Sequence, residues 1–321
     1  MITLAAGRPN ADHVPWRAAH CFSWGWRLTP RRWRIQRPML VPATWQGSVE
    51  HFYHFLMGYF VPLVRWQEQT GETTLSVRDC GPMNPWFSLL HATSDVEIMT
   101  PSWMLQRYLT KKQSYQVFHQ WDDPRRFNRR ALHHVSEVVL GRCAAPVTKR
   151  PRTLRITILE RRPSPSFYMT GASDAYASGA EWRSIPNIQD GIEVLQDLGD
   201  VQLVDTADMS PLEQVVLLSQ TDVLIGQHGA GLSNLIWMPT GAAVIEIQPP
   251  LVSPIDRIFS SLASAKHMDY GTVQQEHDHA SIDPNSIRQA LLAIRNSPGA
   301  FVPTMPGRQP LRALRQLPRR Y

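Results

Sequence analysis

The stretch 221–247 constrains the fold more than any other part of the chain. It reads Thr-Asp-Val-Leu-Ile-Gly-Gln-His-Gly-Ala-Gly-Leu-Ser-Asn-Leu-Ile-Trp-Met-Pro-Thr-Gly-Ala-Ala-Val-Ile-Glu-Ile. Val223, Leu224 and Ile225 form a short apolar run suited to a strand covered on both faces. Gly229 and Gly231 lack a Cβ, so the backbone there can turn sharply and approach another group closely. Leu232, Leu235 and Ile236 supply a helical apolar stripe. Gly241 ends that segment, and Ala243 to Ile247 rise again as a buried strand. Backbone N–H groups at such a helix start favour a phosphate or another anion. The turn therefore points to a phosphorylated ligand, a nucleotide first of all.

The residues around it extend the pattern. Leu154 to Leu159 reads as a strand, Gly191 to Leu198 as a helix and Val201 to Val204 as a second strand. Ser210-Pro211-Leu212-Glu213 is a helix start, with a serine cap, proline at the first position and glutamate three residues after the cap; that helix runs to about Ser219. Asp283-Pro284 opens a last helix through Ile294. Strands alternating with helices imply a parallel sheet with helices on both faces. The stretch Gly141 to Arg152, with Pro146, Lys149, Arg150 and Pro151, looks like a linker.

The chain of 321 residues is long enough for two domains. We expect a first domain over 1–150, a second over 151–298 and a Pro- and Arg-rich tail over 299–321. In the first, Ser48 is placed to cap a helix starting near Val49. Phe52, Phe55, Leu56, Tyr59, Phe60 and Leu63 make its apolar face, and Pro62 should kink or end it. His51, His54 and Gly58 fall on a different stripe. Arg125 to Leu140 is a further amphipathic segment.

Composition removes several classes. No apolar run reaches the length of a membrane span, and the longest, Phe52 to Val64, contains Tyr53, His54, Gly58 and Pro62. No basic segment followed by an apolar core opens the chain, as a secretory signal would. Cys21, Cys80 and Cys143 are too widely spaced for a metal finger or a disulfide framework, which favours a reducing compartment. The net charge of +6 is uneven. Arg31, Arg32, Arg34 and Arg37 cluster early, and Arg308, Arg312, Arg315, Arg319 and Arg320 cluster at the end. Such clusters suit solvated faces or a hold on anionic lipid headgroups. The expected location is the cytoplasm, peripheral to the inner face of the membrane, with no nucleic-acid partner.

Several side chains carry candidate chemistry. His228 can donate to a phosphate oxygen, beside the N–H groups of Gly229, Ala230 and Gly231, with Asn234 as a further polar group. Arg161 and Arg162 follow directly on a strand, at the end where parallel sheets bind ligands. Arg183 and Asn187 precede the next helix, and guanidinium groups grip diphosphates with paired bonds. Glu246 sits inside an apolar run; it either accepts the ribose hydroxyls of a nucleotide or is a buried carboxylate with a partner. His51 and His54 share a helix face. They suit a metal pair lacking a third ligand, a single general base or polar residues lining a cleft. His133-His134 and His277-Asp278-His279 read as surface residues.

The second half resembles glycosyltransferase family 61. The resemblance is carried by Asp222 to Asn234 and by Met238-Pro-Thr-Gly-Ala-Ala-Val-Ile-Glu246. It is supported by Leu159-Glu-Arg-Arg162, by Arg183-Ser-Ile-Pro-Asn187 and by the helix Leu212 to Leu218. In the first half, His51-Phe-Tyr-His-Phe-Leu56 with Pro62-Leu63 is similar to the family's aromatic-His motif, and His54 falls on its histidine. His51 stands where the family usually has Asn, and Gly58 where a carboxylate is common. The resemblance covers about 48–64 and 154–294.

It implies an α/β GT-B architecture, two Rossmann-like domains with a cleft between them. It also implies an inverting transfer from a nucleotide-sugar donor to a glycan or protein hydroxyl. On that reading His54 is the base. Arg161 or Arg162, Arg183, Asn187, His228, Gly229, Ala230, Gly231, Asn234 and Glu246 serve the donor, and no metal or other cofactor is required. Two other classes remain open from the residues alone. A nicotinamide- or flavin-dependent oxidoreductase fits Gly229-Ala-Gly231 superficially, although the dinucleotide fingerprint normally follows a first strand. A non-catalytic nucleotide- or glycan-binding protein is the other.

Overall fold

The computed structural model describes residues 39–43, 49–90, 94–99, 115–119, 128–143, 153–163, 179–250 and 258–296. Ser48, both arginine clusters and the 299–321 tail lie outside them.

The alternating apolar runs of the second half form one parallel sheet. Its strands are β5 (Leu154–Leu159), β6 (Gly199–Val204), β7 (Val223–Gln227), β8 (Ala243–Gln248) and β9 (Asp269–Gln274). They lie in the order β6-β5-β7-β8-β9, every pair parallel. The chain starts inside the sheet, steps to one edge, then returns past its origin to the other. A doubly wound sheet of this kind leaves a crevice at the reversal, between β5 and β7.

The first half holds a second parallel sheet. It comprises β1 (Met39–Ala43), β2 (Thr74–Arg78), β3 (Asp95–Met99) and β4 (Tyr115–His119) in the order β3-β2-β1-β4. Both sheets have Rossmann-like strand order, as the α/β reading expects.

Successive strand residues point to opposite faces, and the second sheet divides accordingly. Ile156, Ile158, Val223, Ile225, Ile245 and Ile247 face a core closed by the helices Asp190–Leu195 and Pro284–Asn296. Leu224 and Val244 face the other way. That side carries the helices Pro211–Gln220 and Ile258–Ala265 and the 3-10 helix Ala230–Trp237. The core on that side continues without a break into the first half, taking in Phe55, Phe60, Leu63, Trp86, Leu132 and Val135. Trp86 stacks on Trp237 with ring centroids 6.1 Å apart, and the Ser136 hydroxyl donates to the Ile236 carbonyl at 2.9 Å.

Three local expectations change. The helix over 52–70 is not ended by Pro62. It runs as α over Phe52–Phe55, as π over Leu56–Phe60 and as α again over Val61–Thr70. Proline cannot donate to the carbonyl four residues back, and the wider π turn lies immediately before it. The helix stops instead at Gly71, whose φ of 70° is the left-handed cap conformation. Gly141 and Arg142 belong to the helix Arg129–Arg142, capped by Asn128, and not to a linker. The segment after the glycine turn is 3-10 helix throughout. Among the described residues no helix is long and apolar enough to cross a membrane.

Candidate functional site

β7 delivers His228 at its carboxyl end, next to the ends of β5 and β8. The His228 N–H donates to the Ile247 carbonyl at 2.8 Å, which ties the turn to β8. Its own carbonyl accepts from two guanidiniums, Arg161 Nη2 at 2.9 Å and Arg183 Nη1 at 3.3 Å. Arg161 lies against Gly229: a Cβ there would fall 1.6 Å from Arg161 Nη2. The close approach expected of this glycine is therefore the approach of an arginine. Gly231 has no such neighbour, since its Cβ would meet Leu159 Cδ1 at an ordinary 3.5 Å.

Burial and, after it, the charge of Arg183 push the Arg161 guanidinium down to about 10, with Asp278 opposing. Arg161 therefore remains a cation at neutral pH. Asp278 accepts from Arg183 Nε at 3.0 Å and leaves Arg161 the less compensated of the two. Two neighbouring cations on one carbonyl, at a glycine turn, make a site that an anion would stabilise.

Beside them is a cavity of about 190 Å³ lined by Leu159, Arg161, Ile185, Pro186, Ile188 and Gln227, among others. It opens where β5 and β7 part, the reversal point of the sheet. Gln227 is buried, and its amide N–H groups go to Gln275 Oε1 at 2.6 Å and to the carbonyls of Asp278 and Ser184. Its Oε1 has no hydrogen-bond partner among the described residues.

The side chain of His228 looks the other way. Its Nδ1 bonds Glu246 Oε1, and its ring meets Phe259 edge to face at 5.2 Å. Glu246 is wholly buried. Its second oxygen accepts from the Tyr270 hydroxyl and from Gln248 Nε2 at 3.0 Å. Glu246 is thus the buried, partnered carboxylate, and the ribose-binding expectation fails on accessibility. Nδ1 of the imidazole is thus engaged with Glu246, and Nε2 stands outside this network.

Three further expected donor residues are engaged elsewhere. Asn187 clamps backbone, giving Nδ2 to the Ile282 carbonyl at 2.9 Å and accepting the Ile282 N–H at 3.0 Å. Asn234 is wholly buried and donates to Gln214 Oε1 at 3.0 Å, fixing the 3-10 helix to its neighbour. Arg162 turns outward to Asp208 at 2.7 Å, with Glu160 also in range. Ala230 lies in the half-buried turn between the two glycines.

His54 stands in the first half, next to the same seam. Its ring is 5.3 Å from Tyr53, and Tyr53 is 6.2 Å from Phe259. Rings therefore run from His54 through Tyr53 and Phe259 to His228. His51 is held down to about 4 by burial first, then by His54, with Glu50 opposing. Among the described residues no cluster of three His, Cys, Asp or Glu side chains is arranged to hold a metal. His133 is not a plain surface residue: it is half-buried and stacks on His267 at 5.6 Å.

Sequence reasoning missed Tyr270, Gln248, Phe259 and the role of Asp278. Nothing local marks the first three. Asp278, between two histidines, reads from the sequence only as a surface residue.

The family model described as Glycosyltransferase 61 matches residues 52–245, from the first helix of that seam into β8. The chain belongs to glycosyltransferase family 61. Curated relatives match shorter stretches. The EGF domain-specific O-linked N-acetylglucosamine transferase of Drosophila melanogaster is 30% identical over 35% of this chain and 19% of its own length. The Bos taurus protein of that name is 36% identical over 22% of this chain and 14% of its own length. The alpha-1,3-arabinosyltransferase XAT3 of Oryza sativa subsp. japonica is 33% identical over 21% of this chain and 12% of its own length. The matched stretches thus span a fifth or less of these family 61 relatives.

Proposed function

We propose that this chain transfers a sugar, with inversion, from a nucleotide-sugar donor to a hydroxyl of a glycan or protein. The observation that carries the reading is the convergence of Arg161 and Arg183 on the glycine turn at the sheet's reversal point. In a single displacement the leaving diphosphate gathers negative charge, and fixed cations at that point lower the barrier. The two guanidiniums supply the charge that other transferases draw from a divalent ion. The adjoining cavity takes the nucleoside, with Arg161 shared between the two.

The arrangement we infer is GT-B-like, with the second half holding the donor and the first presenting the acceptor across the seam at Tyr53 and Phe259. The base that the acceptor hydroxyl needs then stands on this seam, where His54 and His228 mark the two ends. Family membership and the relatives' names, an N-acetylglucosamine transferase and an arabinosyltransferase, support sugar transfer as the chemistry. The oxidoreductase reading loses ground because the glycine turn follows β7, the third strand of its sheet in chain order.

Calorimetry with UDP, GDP, CMP, NAD and FAD tests the donor site. A nucleoside diphosphate should bind, and Arg183→Ala should weaken it about tenfold, the worth of one charged hydrogen bond. Binding of NAD or FAD alone, or unchanged affinity in both Arg161→Ala and Arg183→Ala, would remove the assignment.

A further inference from the structure

We propose that His228 takes the proton from the acceptor hydroxyl, held for that task by Glu246 and Tyr270 as positioning residues. The inference rests on the donor reading above and goes beyond it, because that reading requires only the backbone of His228. Main chain and side chain of this residue serve opposite sides. The carbonyl binds Arg161 and Arg183, while the imidazole turns toward Phe259 and, through it, Tyr53 of the first half. A phosphate-binding histidine would be expected to share the arginines' side.

The Glu246 network defines the ring's chemistry. Glu246 lies on β8, on the sheet face that bears Val244, and is wholly buried. One oxygen bonds Nδ1 of His228, assigned here as the protonated nitrogen, and the other accepts from the Tyr270 hydroxyl and the Gln248 amide. With those bonds made, the ring cannot rotate or exchange tautomers without leaving a buried carboxylate short of a donor. The side chain is 13% exposed, so the residual opening belongs to a ring whose Nδ1 is already engaged. Nε2 is then the nitrogen that can meet a hydroxyl.

The acceptor oxygen bonds the anomeric carbon as the bond from that carbon to the diphosphate oxygen breaks. The bonding pair leaves with the diphosphate, against Arg161 and Arg183, and the hydroxyl proton goes to His228 Nε2. Glu246 stabilises the imidazolium that results. On this assignment His54, at the far end of the ring series, contributes to holding the acceptor.

Two measurements on the full chain test the proposal. Nitrogen-15 histidine NMR should find the His228 proton on Nδ1. That preference should weaken in Glu246→Gln and in Tyr270→Phe, the second variant standing in if the first does not fold. A proton on Nε2, or a tautomer unmoved in both variants, overturns it.

Calorimetry with UDP, GDP and CDP is the second arm. His228→Asn should keep nucleotide affinity within about twofold, while Arg183→Ala loses about tenfold. An equal loss in both makes His228 a phosphate ligand and overturns the assignment. If no nucleotide binds the unaltered protein, the donor reading itself fails, and this one falls with it. For the binding nucleotide's sugar conjugate (UDP-N-acetylglucosamine, GDP-mannose or CDP-glucose), His228→Asn should lower kcat about 100-fold or more, as loss of a general base does. Tyr270→Phe should lower kcat with donor KM unchanged, and a change confined to KM would count against it.

Discussion

Gly229 shows how one missing methyl group can serve a binding site. Its neighbour Arg161 occupies the volume a side chain would need. In Gly229→Ala the added Cβ would displace the guanidinium and break its bond to the His228 carbonyl. The displaced group is the end of a flexible side chain, so the stability cost should stay near 1 kcal/mol, the scale of one lost hydrogen bond. Diphosphate affinity should fall as far as in Arg161→Ala, about tenfold. Gly231→Ala, whose Cβ meets only an ordinary contact, should leave affinity unchanged and serves as the control. Calorimetry of both variants decides; equal behaviour would mean that Arg161 does not need the glycine. Asn187, Asn234 and Glu246 carry the complementary lesson. Each is polar, was expected at the donor site, and is committed to an internal partner. A buried polar group must find such a partner, and sequence spacing does not say whether that partner is a ligand or the protein.

At the scale of elements, the readable signals were those whose cause is local. The capping box is one. The Ser210 hydroxyl accepts the Glu213 N–H at 3.3 Å, and the Glu213 carboxylate accepts the Ser210 N–H at 2.7 Å. Those bonds hold the Glu213 carboxyl below its usual range. Ser210→Ala should cost about 1 kcal/mol in urea denaturation, and a neutral result would mean that Pro211 alone sets the helix start. β5 runs over Leu154–Leu159 as its apolar residues indicate, because an isolated run between polar neighbours has one register in which it can be buried. What could not be read depends on distant residues. The 3-10 form of Ala230–Trp237 goes with the burial of Trp237 against Trp86, far away in sequence, and Phe60 in the π turn meets the same ring. Arg161 and Arg183 were legible as strand-end and helix-approach cations. Their meeting on one carbonyl was not, because it requires the order β5 beside β7.

For the whole molecule, the decisive feature is that one apolar core serves both sheets. Trp237, from the second half, is wholly buried between Trp86 and Phe60 of the first, with centroid distances of 6.1 and 6.5 Å. Separating the halves would expose this surface to water, at a cost proportional to the apolar area uncovered. The chain should therefore unfold in one calorimetric transition, although it contains two sheets. Trp237→Ala should lower that transition as a whole by about 3–5 kcal/mol, the range for truncating a large buried aromatic side chain. Trp237→Phe should cost less, since Nε1 of the tryptophan has no hydrogen-bond partner among the described residues and its removal leaves no orphaned group. Two transitions, only one of which moves in Trp237→Ala, would show that the halves fold separately. In that case the seam from His54 to His228 is an interface that can open between domains. A single shared transition instead shows that the apolar seam at Trp237 contributes to the stability of both halves at once.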